Sequence, residues 1–369
     1  MNLRICIAIL AVALTSWLAA PVGARAHTEF EVQETYLNAR IDGRLFRLEA
    51  VITKVKSATG KLPVALFLHG KDFLGSAMAD TRPSSSNAQA RDLAERGWLS
   101  VSFTRRGFGR SDGPFPAIAG CDGLKLEEQF VSDAGEALAV MEALKQRPDA
   151  DTDRVIAIGV SAGGATAVAL AARNPPGLKG VVNISGGLSL SSCQDKANVA
   201  LAAAFGSLAG RSKVPQLWVY ADNDELFPAA LVNQMHEAAL KANSDVRRFS
   251  IPKLEPRGHN VYGNSTGRRL WLRETDNSLR AWKLPTYNPA DVVPWLKAMG
   301  LTERDRNSFE RYLFDPGYKA MAFSAKDKRT FWRFGGNNTK DVNEGAMKDC
   351  ADKFQDCRLV LEGNDLKQP

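Results

Sequence analysis

The chain has 369 residues, 44% hydrophobic and 24% charged, with 30 Gly, 17 Pro and 5 Cys. That composition excludes collagen-like, disordered and coiled-coil chains, and five cysteines are too few for a disulfide scaffold of this length. The net charge of +7 is carried by no Lys/Arg block and no recognisable nucleic-acid motif, so no nucleic-acid partner is expected.

Met1–Ala26 reads as a secretory leader. Arg4 supplies the positive start, residues 5–20 (ICIAILAVALTSWLAA) the apolar stretch, and Ala24-Arg25-Ala26 the small-x-small cleavage pattern. The apolar stretch falls short of the ~20 residues of a spanning helix. Cleavage after Ala26 is therefore expected, giving a secreted or periplasmic protein with no stable membrane span. Export changes the reading of the cysteines. Cys6 leaves with the leader, and the remaining four suit disulfides in an oxidising compartment. Cys350 and Cys357 form the local pair, and Cys121 with Cys193 follows by elimination. A zinc site is the weaker reading, because no His lies near the close pair.

Residues 30–56 alternate apolar and polar around Asp42-Gly43, which predicts a hairpin at a sheet edge. Leu62–His69 is a nearly continuous apolar run, as expected of a strand buried on both faces. Ser84–Arg96 predicts a helix ended by Gly97, and Trp98–Thr104 a second buried strand. Leu126–Arg147 repeats apolar residues at three and four, a helical period. A strand (Arg154–Val160), a helix (Ala162–Arg173) and a strand (Leu178–Ser185) follow. Next come a strand (Val214–Ala221), a helix from Pro228 to about Ala242, and a last core strand (Val246–Leu254). Alternating strands and helices predict a mostly parallel sheet with helices on both faces, which binds ligands at the carboxyl ends of its strands.

Those strand ends carry the chemistry. Ser161 stands in Gly159-Val160-Ser161-Ala162-Gly163, a G-x-S-x-G turn between strand and helix that would expose a nucleophile. The N–H of Ala162, at a helix start, could receive an oxyanion. His69-Gly70-Lys71 closes the strand Leu62–His69, and the N–H of Lys71 is the second donor candidate. His69 itself reads as a turn-packing residue. Asp222 and Asp224 follow the strand Val214–Ala221. The position of Asp224 four residues before Pro228 favours it as the acid that orients an imidazole, with Asp222 the alternative. His259, Gly-flanked after the last core strand, is the candidate base. The order Ser161, Asp224, His259 is that of hydrolases. His236 reads as an exposed mid-helix residue, and His27 as a weak metal candidate at the mature N-terminus. No metal or organic cofactor is implied.

These residues resemble the α/β-hydrolase superfamily, in particular its secreted dienelactone-hydrolase-like and prolyl-oligopeptidase-like relatives. The matching segments are VALFLHGK (64–71), RRGFGRSDG (105–113), GVSAGG (159–164), LWVYADNDELFP (217–228) and PRGHNVYG (256–263). The resemblance implies an α/β-hydrolase fold over 27–301. It implies that 186–210 forms a cap-like excursion over the site, the alternative being a helix that fills the core. A bridge from Cys121 to Cys193 would then pin that excursion. Residues 302–369 are similar to a small α+β module of secreted bacterial proteins, stapled by one disulfide.

The expected function is serine-dependent hydrolysis of a small-molecule carboxylic ester or lactone through an acyl-enzyme. A peptidase or amidase of prolyl-oligopeptidase type is the near alternative. A catalytically silent binding protein on the same scaffold is the distant one.

Overall fold

A computed structural model describes residues 28–71, 75–115, 125–336 and 338–367. The expected leader 1–26, His27 and Cys121 lie outside the described residues. Strands β1 (Phe30–Ile41) and β2 (Arg44–Val55) form the expected hairpin, with Asp42 and Gly43 both at positive φ in the turn. They join β3 (Leu62–Leu68), β4 (Leu99–Phe103), β5 (Ala150–Val160), β6 (Leu178–Ile184), β7 (Gln216–Ala221) and β8 (Val246–Ile251) in one sheet. Its order is β1-β2-β4-β3-β5-β6-β7-β8. The β1–β2 and β2–β4 pairs are antiparallel and the others parallel. This is the mostly parallel sheet that the strand pattern predicts, in the α/β-hydrolase order that the resemblance implies.

Alternation within the central strands gives each face its own core. Leu66, Ala157, Trp218 and Tyr220 pack against α3 (Leu126–Leu144), α4 (Ala162–Ala172), α5 (Gln194–Arg211) and α6 (Ala229–Lys241). Phe67, Ile156, Ile158 and Val219 pack against α2 (Asn87–Glu95) and α7 (Ser265–Ala281) on the other face. The short helix α1 (Gly75–Asp80) precedes α2. Strand register then decides where the site lies. Leu68 is level with Gly159, Val160 with Ile184, and Ala221 with Ile251, so the loops after β3, β5, β7 and β8 emerge at one edge.

The excursion expected as a cap over 186–210 is largely a core helix. Leu201, Phe205 and Leu208 of α5 are buried, and Gly206 and Gly210 lie so close to Ala238 of α6 and to Ala242 just after it that a Cβ would clash. His236 is half-buried rather than exposed, edge-on to Trp218.

A second, antiparallel sheet follows: β9 (Tyr318–Ser324), β10 (Arg329–Gly336), β11 (Cys357–Glu362) and β12 (Asp365–Leu366), in the order β10-β9-β11-β12. Helix α10 (Thr339–Ala351) covers one face, and Cys350 is bonded to Cys357. Helices α8 (Val293–Ala298) and α9 (Arg306–Phe314) pack on the other face. That core takes in Val292, Trp295, Leu296 and Met299, upstream of residue 302.

A buried ionic network joins this sheet to α2 and α7. Arg96 Nε and Nη2 donate to Asp276 Oδ1 and Oδ2 at 2.6 and 2.8 Å. Arg268 Nε donates to Asp92 Oδ2 at 2.7 Å, and the Gly317 N–H to Asp92 Oδ1 at 3.1 Å. Lys319 Nζ donates to the carbonyls of Tyr312 and Leu313 at the end of α9. Burial pushes the Lys319 ammonium down to about 8 against the opposing pull of Glu95. An unfolded lysine titrates near 10.4. Between those values the unfolded chain holds the extra proton, so this residue makes stability rise with pH. Denaturant titrations from pH 8 to 10 are expected to show wild type gaining stability relative to Lys319→Met. Parallel curves would contradict the assignment.

Candidate active site

Ser161 sits between β5 and α4 at φ +53° and ψ −125°, a conformation that side-chain-bearing residues avoid. The turn is possible because its neighbours lack side chains. A Cβ on Gly159 would stand 2.0 Å from the Gly163 carbonyl oxygen, and one on Gly163 would stand 2.1 Å from that of Leu68. The strained turn lifts the hydroxyl from the sheet edge, while the Ser161 N–H donates to the Ile184 carbonyl.

His259 reaches the same point from the loop after β8. Its Nε2 is 3.2 Å from Ser161 Oγ. Its Nδ1 is 3.0 Å from Asp224 Oδ2 and 3.1 Å from Oδ1. The carboxylate that meets the imidazole is therefore that of Asp224, whose side chain is fully buried, while Asp222 is exposed. The N–H groups of Leu226 and Phe227 hold Asp224 Oδ1 in a tight turn, and the Phe227 ring meets the imidazole edge-on. An Nδ1–H donating to Asp224 leaves Nε2 free to accept the serine proton.

Two residues not singled out in the sequence fix the relation of the acid and base loops. Asn223 exchanges two hydrogen bonds with the backbone of Leu254, at 2.8 and 3.0 Å. Glu225 accepts from the His259 N–H at 3.0 Å and from Arg257 at 2.7 Å. Partial burial pushes the Glu225 carboxyl up, but the His259 N–H, its own N–H and Arg257 outweigh that and hold it at about 2. The partners of Asn223 and Glu225 are more than 30 positions away, beyond the reach of local pattern.

The Gly70–Lys71 backbone lies against the serine. A Cβ on Gly70 would stand 3.2 Å from Ser161 Cβ. Ala162 is buried at the first turn of α4. The two predicted oxyanion donors thus flank Ser161. The Lys71 side chain is drawn elsewhere: its Nζ is 2.9 Å from Asp133 Oδ2 of α3, both side chains almost fully buried, an ion pair rather than an aligned hydrogen bond. Burial, partly offset by Asp133, moves the Lys71 ammonium below its ordinary range.

Ser161 and His259 open into a cleft of about 670 Å3. The segment after α1 contributes Thr81, Arg82, Ser84, Ser85 and Ser86, and the far wall has Arg257, Asn260 and Tyr262. Tyr262 OH donates to Ser86 Oγ at 2.9 Å, tying the two walls together. Among the described residues, Val160 is the only aliphatic side chain in the lining, and nothing from 186–210 reaches it. Cys193 is disulfide-bonded, and its expected partner Cys121 lies outside the described residues. Among the described residues no group of three or more His, Cys, Asp or Glu is placed to hold a metal ion, and no helix is long and apolar enough to cross a membrane.

Residues 42–260 match the family model described as X-Pro dipeptidyl-peptidase (S15 family). A candidate esterase, NocK of Nocardia uniformis subsp. tsuyamanensis, is 30% identical over 185 residues. That match covers 50% of this chain and 46% of NocK, so it spans about half of that relative's length. Among solved structures, the dienelactone hydrolase-like promiscuous phosphotriesterase P91 from metagenomic libraries is similar at 18% identity and a TM-score of 0.49, over 69% of this chain and 98% of its own. The Pyrococcus furiosus esterase Pf2001 is similar at 16% identity and a TM-score of 0.48, over 69% and 92%.

Proposed function

The chain belongs to the X-Pro dipeptidyl-peptidase family S15, and from that premise we propose that it is a serine hydrolase that cleaves a small, polar carboxylic ester or lactone. The observation that carries this reading is the hydrogen-bonded line from Ser161 through His259 to Asp224. Ser161 Oγ attacks the carbonyl carbon while His259 Nε2 takes its proton. Asp224 keeps the imidazole in the productive tautomer and stabilises its cationic form. The N–H groups of Ala162 and Lys71 receive the negative oxygen, each worth about 3 kcal/mol in comparable sites. His259 then protonates the leaving group. Water, deprotonated in turn by His259, releases the acid and restores Ser161.

The serines, Thr81, Asn260 and the two arginines among the described lining residues support a small substrate with hydrogen-bonding groups over a long acyl chain. The second reading is a peptidase, as the family's description names. Asp80 favours it, because its carboxylate lines the same cleft and would meet the terminal ammonium of a peptide. The leader pattern of residues 1–26 and the disulfide chemistry support an exported, periplasmic or secreted enzyme.

Short-chain p-nitrophenyl esters and alanyl-prolyl p-nitroanilide separate the two readings. The expected result is saturable turnover of p-nitrophenyl acetate and butyrate, with anilide cleavage at background. Anilide turnover with a comparable kcat would replace the ester reading by the peptidase one.

A further inference from the structure

The N–H of Lys71 belongs to the Gly70–Lys71 peptide unit, and the carbonyl of that unit is Gly70 O. Two side chains hold this carbonyl. His69 Nδ1 is 2.6 Å from it and Arg105 Nη2 is 3.4 Å from it. The tautomer of His69 follows from its other nitrogen. Nε2 lies 3.1 Å from the Arg105 backbone N–H and accepts from it, so Nδ1 carries the proton and donates to Gly70 O. Burial, and then the charge of Arg105, hold this imidazole well below the usual histidine range, so it stays neutral. Its ring is pinned edge-on to Phe108, 4.7 Å between centroids.

Arg105 extends the same hold in two directions. Its Nη2 also donates to the His69 carbonyl at 3.0 Å. Its Nη1 donates to Thr166 Oγ1 at 3.3 Å, and Thr166 Oγ1 donates to the Ala162 carbonyl at 2.8 Å. One buried guanidinium therefore connects the turn that carries the Lys71 N–H to the helix that carries the Ala162 N–H. Among the described residues no carboxylate lies within ion-pair distance of it, and the buried Glu136, paired with Arg106, feels its charge from further away. The other donor peptide is arranged alike. The Ser161 carbonyl, whose peptide unit supplies the Ala162 N–H, accepts from Gly164, Ala165 and Gly187.

A hydrogen bond to a peptide carbonyl increases C–N double-bond character and makes the N–H of that unit a stronger donor, by roughly 10–30% per bond in condensed-phase estimates. It also fixes the direction of the N–H. We infer that His69 and Arg105 are positioning residues for the oxyanion donor: they clamp and polarise the Gly70–Lys71 peptide so that its N–H is preset for the negative oxygen of the tetrahedral intermediate. The inference rests on the proposed serine-hydrolase function, and it gives the two residues a role that packing alone would not.

The test uses the full-length protein with p-nitrophenyl butyrate and with a fluorophosphonate that phosphonylates Ser161. His69→Phe keeps the ring against Phe108 and removes the donor, and His69→Asn returns an N–H near the Nδ1 position. His69→Phe is expected to lose roughly 10- to 100-fold in kcat, a fraction of what deleting a whole oxyanion donor costs, with KM within about twofold. Its phosphonylation rate should fall in the same proportion. His69→Asn should recover most of both. Arg105→Lys, whose single ammonium cannot hold the His69 and Gly70 carbonyls and reach Thr166 at once, should lose about tenfold in kcat with the same split, and it decides the matter should His69→Phe not fold. A folded His69→Phe with wild-type kcat, or a His69→Asn as impaired as His69→Phe, would overturn the inference. A wild type that the phosphonate does not label would instead overturn the hydrolase reading on which it rests.

Discussion

Ser161→Ala is expected to lower kcat for p-nitrophenyl butyrate by roughly 10^6-fold, as removal of a serine nucleophile does in other enzymes that use this chemistry. The size follows from what disappears. Without Oγ there is no acyl-enzyme, and the imidazole of His259, 3.2 Å away, has no hydroxyl to deprotonate. The two backbone donors remain and would leave only a small residual acceleration. The fold should be indifferent to the change. The strained backbone at φ +53° already accommodates a Cβ, and within the site the hydroxyl is bonded to His259. Melting of the variant is therefore expected to match wild type. Retention of more than a thousandth of the activity in a purified, folded variant would contradict the assignment of the nucleophile.

Asp276→Ala is expected to destabilise the protein by about 3–5 kcal/mol, the usual cost of breaking a buried ion pair from one side. Both side chains of the Arg96–Asp276 pair are wholly excluded from solvent, and two parallel hydrogen bonds join them. Burial alone would lower the Arg96 guanidinium, but the charge and hydrogen bonds of Asp276 more than reverse that. Removing the carboxylate strands the cation against the Tyr287 ring, 4.4 Å from its centroid, and frees the Thr286 hydroxyl that Asp276 also accepts. Urea denaturation measures the loss as a shift in midpoint. Replacing both partners, Arg96→Leu with Asp276→Leu, should recover a large part of it, since no unpaired charge then remains. A single-variant loss below 1 kcal/mol would show that the pair contributes little.

The parts of this fold that were legible in the sequence share one cause. Strands β3 to β7 are buried on both faces, and burial of that kind leaves continuous apolar runs such as VALFL and LWVYA. Because the runs were found, their ends were found, and with them Ser161 and His259. The choice of Asp224 over Asp222 depended on where the turn would begin, a local feature that the Asx turn to Leu226 and Phe227 realises. Helix α7 went unseen because its inward face carries Thr275, Asp276 and Ser278 beside Trp271, Leu272 and Leu279, which blurs the apolar period. The cleft wall at 81–86 is built from a short helical turn too brief to leave a period. The link between Arg105 and His69 spans 36 positions and runs through backbone carbonyls, which side-chain patterns do not encode. The excursion after β6 was ambiguous for a physical reason. An Ala- and Leu-rich helix can cover a pocket or fill a core, and only the close approach of Gly206 and Gly210 to α6 and to Ala242 just after it decides for the core.

The most direct measurement of the central claim is to locate a covalent adduct. Incubation with a fluorophosphonate, digestion and mass spectrometry should place a single phosphonate on the peptide that contains Ser161, with Ser161→Ala unlabelled under the same conditions. An adduct on another residue, or labelling of Ser161→Ala at the wild-type rate, would contradict the account.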